Sequence, residues 1–211
     1  MSIVERHPTL SPGAVRWLIA TANPFGRTAE LSGALLRSDV APVLRAAELH
    51  GVLPFALRAL RNDDAITNGH AGQSDTVQYD GHADEAVAAA RTLHVNQTGM
   101  ELMLKHHGTR ALHSLHAGGL AAVIVKGPTF ARRLYPEPAL RTFTDIDILI
   151  PTAARGEASR IMKSLGFLLH EKSYRAGQDY FEDTWFLEAD PRVNIEVHGD
   201  LVHNPKLRRT A

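Results

Sequence analysis

The run Thr144-Asp145-Ile146-Asp147-Ile148-Leu149-Ile150 constrains the fold of this chain more than any other segment. Its β-branched and apolar residues, stopped by Pro151, read as a strand over 143–150 buried in a sheet, yet it carries two carboxylates. Side chains two apart on a strand point the same way, so Asp145 and Asp147 project together while Ile146 and Ile148 face the core. Like charges that close repel each other, and a fold that keeps them needs compensation. A divalent cation is the usual compensation, and hard Mg²⁺ prefers carboxylate and phosphate oxygens. The bland reading is an exposed strand face or turn that happens to hold two acids, because Asp-x-Asp alone is common.

Two other segments bear on that choice. The apolar run 120–125 reads as a second buried strand, and it ends in Lys126-Gly127 before a short helix that begins at Pro128 and closes near Leu134-Tyr135-Pro136. Backbone N–H groups at such a helix start can cradle phosphate, and Lys126 adds a point charge; a plain strand–helix turn is the competing reading. In Val193-Asn194-Ile195-Glu196-Val197-His198 the apolar residues alternate with polar ones, so Glu196 sits opposite Val193, Ile195 and Val197 and shares its face with His198. A third carboxylate from a neighbouring strand would complete a two-metal site or act as a base. The alternative is a solvent-facing Glu on an edge strand.

The rest of the chain supplies helices. Val15, Leu18 and Ile19, then Val43, Leu44 and Ala47, have helical spacing, and His50-Gly51 followed by Pro54 reads as a stop and restart. Residues 63–85 carry six acids and no base and few large apolar side chains, which predicts a linker or mobile loop. A long helix follows over 86–117, lowered in propensity by Gly99 and Gly108 and ended by Gly118-Gly119. Thr152 is the expected N-cap of a helix through Leu165, with Gly166 at its end. Tyr180 to Leu187 and Val193 to His198 read as an antiparallel pair across Ala189-Asp190-Pro191-Arg192. The fold class is therefore α+β: a small mixed sheet flanked by helices over 86–211, with sheet and helices over 118–203, preceded by a helical region over 1–62 and the 63–85 linker.

Charge narrows the functions. The chain has 23 basic and 23 acidic residues, which disfavours a coat for nucleic acid or an anionic membrane. The balance is uneven, because residues 1–62 hold seven Arg against four acids, whereas residues 171–200 hold eight acids against three bases. Cysteine is absent, which excludes disulfides, thiolate zinc sites and a cysteine nucleophile, and implies that any metal is held by oxygen. No run approaches the roughly 20 apolar residues that span a bilayer, and the N-terminus lacks a signal-peptide pattern, so the expectation is a soluble cytoplasmic protein. His106, His107, His113 and His116 fall on the long helix but form no His-Glu-x-x-His, and solvated histidines are the stronger reading. Trp17 and Trp185 read as core or rim aromatics.

Taken together, Lys126-Gly127, Leu134-Tyr135-Pro136, Arg141, Asp145-Ile146-Asp147-Ile148-Leu149, Leu165-Gly166-Phe167 and Glu196-Val197-His198 resemble the uncharacterised nucleotidyltransferase family of the polymerase-beta-like nucleotidyltransferase superfamily. The resemblance spans about residues 85–203. It implies that Asp145 and Asp147 hold Mg²⁺ on a nucleoside triphosphate, with two ions once the nucleotide is bound. Glu196 would ligate the second ion or deprotonate the acceptor, and Lys126, Gly127 and Arg141 would meet the phosphates. For Arg141, a pair with Glu137 or a surface acid is the competing reading. The chain departs from the pattern at Pro128, where relatives carry Gly or Ser, and it reaches Ala211 soon after the third acid, so a truncated core or a wall supplied by a protein partner is expected. The function implied is nucleotidyl transfer to a small molecule, a protein or an RNA, with a long nucleic acid the least favoured acceptor. The alternative is an antitoxin-like binding or regulatory protein with a degenerate site.

Overall fold

The computed structural model of the chain describes residues 8–23, 35–61, 66–67, 81–174 and 181–200. Helix α1 (Pro12–Thr21) begins where the sequence supplies both a cap and a first-turn proline. Ser11 Oγ accepts from the Ala14 N–H at 3.1 Å and donates to Asp39 at 2.7 Å, while Pro12 lacks the N–H that a first turn leaves unpaired. Strand β1 (Leu35–Leu36) and a 3₁₀ turn (Arg37–Asp39) lead into α2 (Val40–Leu49). Gly51, at φ +67°, ends α2, and α3 (Leu53–Ala59) restarts with Pro54 in its first turn, as the sequence predicts. Strand β2 (Ile66–Thr67) pairs in parallel with β1. Helix α4 (His82–Ala117) then runs through both Gly99 and Gly108 without a break and stops before Gly119, which takes φ +78°. Of the linker expected over 63–85, β2 and the first turn of α4 are described; the remainder, like the chain end after Asp200, lies outside the described residues.

The chain divides into two compact units, residues 1–97 with 135–142, and residues 98–134 with 143–211. The first is helical. Its core is Trp17 and Leu18 of α1, Val40, Val43 and Leu44 of α2, and Leu53 and Leu57 of α3. The segment 135–142 belongs to it because Tyr135 packs its ring 6.3 Å from that of Phe55 and Glu137 accepts a hydrogen bond from Arg58 at 3.1 Å.

The second unit holds β3 (Val123–Ile124), α5 (Pro128–Leu134), β4 (Ile146–Leu149), α6 (Arg155–Ser164), β5 (Phe167–Tyr174), β6 (Phe181–Leu187) and β7 (Asp190–His198). The strands form one sheet in the order β3-β4-β7-β6-β5, in which β4 and β7 are parallel and every other neighbouring pair is antiparallel. This is the mixed sheet of an α+β fold. One face is apolar: Ile146, Ile148, Phe181, Trp185, Ile195 and Val197 pack with Leu104 and Leu115 of α4 and Ile161 and Met162 of α6. Each such side chain contributes about 1.5–3 kcal/mol when fully buried. At the rim of that face the Asp183 carboxylate takes two hydrogen bonds from Arg155, at 2.9 and 2.6 Å, and the guanidinium also stacks on Phe181.

Several expectations need correction. Strand β7 lies between β4 and β6, so the edge-strand reading of Glu196 is overturned. Thr152 opens a 3₁₀ turn (Thr152–Ala154), and α6 starts at Arg155 with Ala154 at its N-cap position and no capping side chain. The hairpin turns at Glu188-Ala189, because Leu187 already pairs with Asp190, earlier than the Asp-Pro signal suggested. The Asp190 carboxylate instead binds the Arg192 N–H and guanidinium within the first residues of β7. Strand β5 was not expected at all; it forms one of the sheet's two outer strands. Among the described residues no helix is long and apolar enough to cross a membrane.

The two glycines of α4 separate helix propensity from packing. A Cβ at Gly99 meets nothing within 4 Å, whereas at Gly108 it would lie 2.9 Å from the Ile146 Cγ2 of β4. Alanine gains about 1 kcal/mol over glycine in a helix, and forcing an extra methyl into a packed core costs about 1–3 kcal/mol. Gly99→Ala is therefore expected to raise the thermal midpoint by about 2–4 °C and Gly108→Ala to lower it, read by differential scanning calorimetry; shifts of the same sign would contradict the packing of α4 on β4.

Candidate active site

Asp147 is the residue around which the site is built. It lies inside β4, is 1% exposed, and is the direct register partner of Glu196 on β7. A carboxylate so buried is costly unless cations or donors meet it. Two do, on the same oxygen: Lys126 Nζ donates to Asp147 Oδ1 at 2.8 Å, and His198 Nε2 lies 3.1 Å from it. Both arrive for local reasons. Lys126 follows β3, which pairs antiparallel with β4, and His198 stands two residues after Glu196 on β7, hence on the same face. His198 Nε2 is also 3.5 Å from Glu196 Oε2, and its Nδ1 is 3.8 Å from Glu182 Oε2. Glu182 is the register partner of His198 on β6. Asp147, Glu196 and His198 thus offer ligand atoms that all lie within 4.8 Å of one another.

The electrostatics follow from this packing. Burial alone would raise the Asp147 carboxyl, but hydrogen bonds from His198 and Lys126 outweigh it and hold Asp147 below the usual carboxylate range. Asp145, half-buried and lacking such bonds, is pushed above that range, first by burial and then by the charges of Asp147 and Glu196. The hydrogen bond to Asp147 holds the Lys126 ammonium above its ordinary value. Burial pulls His198 down, yet its bonds to Asp147 and Glu196 and the nearby acids prevail and push it up to about 9. The site gathers positive charge.

Gly127 is where the chain needs a glycine. It takes φ +52°, and a Cβ there would sit 3.2 Å from the Asp145 carbonyl oxygen, so the Lys-Gly turn lies against the backbone that presents the first acid. The helix start that follows is a poor phosphate cradle. Pro128 has no N–H, and the N–H groups of Thr129 and Ala131 already donate to the carbonyls of Lys126 and Gly127. Arg141 belongs to the first unit and donates to the Thr142 carbonyl at 3.0 Å, while Glu137, its suggested partner, pairs with Arg58. Trp17 and Trp185 are core residues. On α4, His116 bonds the Ala122 carbonyl and His107 packs edge-on to Phe167; among the described residues these histidines join no group of three potential ligands.

Sequence reasoning thus marked Asp145, Asp147, Glu196, Lys126 and Gly127, noted His198 without giving it a task, and missed Glu182. Glu182 depends on register: the β6–β7 pairing shifts between Phe186 and Leu187, and beyond that shift Thr184 stands opposite Glu196 and Glu182 opposite His198.

A mixed sheet in which a strand carrying spaced carboxylates runs parallel to a strand carrying a third, with a Lys-Gly turn beside them, is the architecture of a nucleotidyltransferase core. The family model described as uncharacterised nucleotidyltransferase matches residues 37–211, and the chain belongs to that family. Comparison with curated proteins and with solved structures gives no match.

Replacing Gly127 by Ala places a side chain in the left-handed region, at about 1–2 kcal/mol, and crowds the Asp145 carbonyl. Gly127→Ala is expected to lower the thermal midpoint by about 2–8 °C, whereas Gly156→Ala, in helix α6 with open space around it, should raise it by up to about 2–4 °C.

Proposed function

We propose that this protein is a Mg²⁺-dependent nucleotidyltransferase that moves a nucleoside monophosphate from a nucleoside triphosphate, ATP among them, to a small-molecule, protein or RNA acceptor. The observation that carries the reading is the register of β4 and β7, which sets Asp147 directly opposite Glu196 two residues beyond Asp145. The donor set fits a divalent ion: carboxylate oxygens converge where Asp147 already draws an ammonium and an imidazole to one oxygen.

Asp145, Asp147 and Glu196 would hold the ions, two of them with the nucleotide present. Bound there, Mg²⁺ supplies Lewis-acid charge to phosphoryl oxygens. Lys126, whose side chain is 48% exposed, is able to turn its ammonium from Asp147 to a phosphate. Gly127, without a side chain, allows the backbone to approach the phosphate chain closely. Arg141 is assigned to phosphate by the family pattern alone. The acceptor oxygen attacks the α-phosphorus in line, its bond forms as the bond to pyrophosphate breaks, and Glu196 is the group suited to take the acceptor proton. Positioning and charge carry most of such a reaction. The balance of 23 bases and 23 acids disfavours a long nucleic acid as acceptor.

The test is equilibrium binding and transfer with α-labelled ATP, CTP, GTP and UTP in Mg²⁺. Asp145→Asn, Asp147→Asn and Glu196→Gln are each expected to cut transfer by at least about 100-fold with circular dichroism unchanged, and Arg141→Met to weaken nucleotide binding about tenfold. Wild-type protein that neither binds nor transfers any nucleotide would overturn the enzyme reading in favour of a binding or regulatory protein. Undiminished activity in Asp145→Asn would overturn the site.

A further inference from the structure

His198 does more than neutralise acids. Its side chain is 3% exposed, so the ring cannot swing out of the site, and Nε2 stands 3.1 Å from Asp147 Oδ1 and 3.5 Å from Glu196 Oε2. Ligand atoms about 2.1 Å from a six-coordinate ion sit about 3 Å from one another. Nε2 therefore stands from each carboxylate oxygen at about the spacing of neighbouring ligands on one ion, and the three residues offer ligand atoms that all lie within 4.8 Å of one another. A metal-ligating histidine almost always turns its other ring nitrogen to a carboxylate or carbonyl, which fixes the ring and raises its basicity. His198 Nδ1 is buried without a hydrogen-bond partner among the described residues, and the nearest acid, Glu182, faces it at 3.8 Å from the register-paired position on β6.

We infer that His198 Nε2 is itself a metal ligand, oriented by Glu182, so that one cation position of this site has two carboxylates and an imidazole and prefers a first-row transition ion to Mg²⁺. Imidazole suits transition ions, whereas Mg²⁺ favours an all-oxygen shell. The inference rests on the nucleotidyltransferase reading only for the use to which the ion is put; the ligand set stands on β4, β6 and β7 alone. It also revises the expectation, drawn from the absence of cysteine, that any metal is held by oxygen only. Entry of the ion requires Lys126 to leave Asp147 Oδ1, which its exposed side chain permits and which the buried His198 ring, as a ligand, does not need to do.

The competing picture is an imidazole that only donates hydrogen bonds between two carboxylates while oxygens alone hold the ion. Pulsed electron paramagnetic resonance on the full chain, stripped with chelator and loaded with Mn²⁺ as the probe, separates the two. Expected are nitrogen-14 modulation from one directly bound imidazole and Mn²⁺ affinity at least about tenfold above that for Mg²⁺. His198→Gln should lose the nitrogen signal and most of the preference, and Glu182→Gln should keep the signal while weakening Mn²⁺ about tenfold. Bound Mn²⁺ without nitrogen modulation, no Mn²⁺ binding by the wild type, or an unchanged preference in His198→Gln each overturns the inference; the wild-type spectrum decides even where the variant fails to fold. Transfer of labelled nucleotide in Mg²⁺ with no nitrogen modulation sinks the ligand assignment and leaves the transferase reading standing. Nitrogen modulation without any transfer does the reverse.

Discussion

The second unit depends on one buried carboxylate. Asp147 stands between Ile146 and Ile148 on a strand with neighbours on both sides, and although alternation turns it away from the apolar face it is 1% exposed. An isolated carboxylate there costs several kcal/mol, more than a typical side chain in the same core contributes. The sheet order answers that cost. β3 on one side delivers Lys126 and β7 on the other delivers His198, and both reach the same oxygen. The pairing of β4 between β3 and β7 thus meets the electrostatic demand of its buried carboxylate from both sides.

Much of this could be read from residues. The alternation in Val193 to His198 set Glu196 and His198 on one face, and the glycines at 51, 119, 127 and 166 all take positive φ near the ends of helices or in turns the sequence had marked. What resisted reading had physical causes. Strand β5 is an outer strand, paired on one side only, and an outer strand shows no clean period. The β6–β7 register shifts between Phe186 and Leu187, so counting outward from the turn at Glu188-Ala189 does not give the residue that stands opposite His198. Pairing across strands is non-local, and no spacing along the chain discloses that Asp147 meets Glu196.

The start of α5 shows how a departure from a family pattern can be absorbed. With Pro128 in place of a residue bearing an N–H, and with Thr129 and Ala131 donating to the turn's own carbonyls, the turn closes on itself instead of opening toward a ligand. On the proposed transferase reading, positive charge for a triphosphate would then come from Lys126, from Arg141 and from cations held by Asp145, Asp147 and Glu196.

The two groups that meet Asp147 Oδ1, Lys126 and His198, are unequal, and the inequality bears on mechanism. Lys126 is a long, half-exposed side chain tied to Asp147 by a single ion pair, so its ammonium is able to turn away once another cation meets the buried carboxylate. His198 is enclosed, pressed between Asp147 and Glu196 with Glu182 behind it, and has no alternative place to go. One side chain is free to move and the other is held. On the proposed reading, Lys126 would turn to the substrate while the enclosed His198 ring kept its place between Asp147 and Glu196, the preorganisation that phosphoryl chemistry draws on when catalysis is mainly a matter of fixed charge.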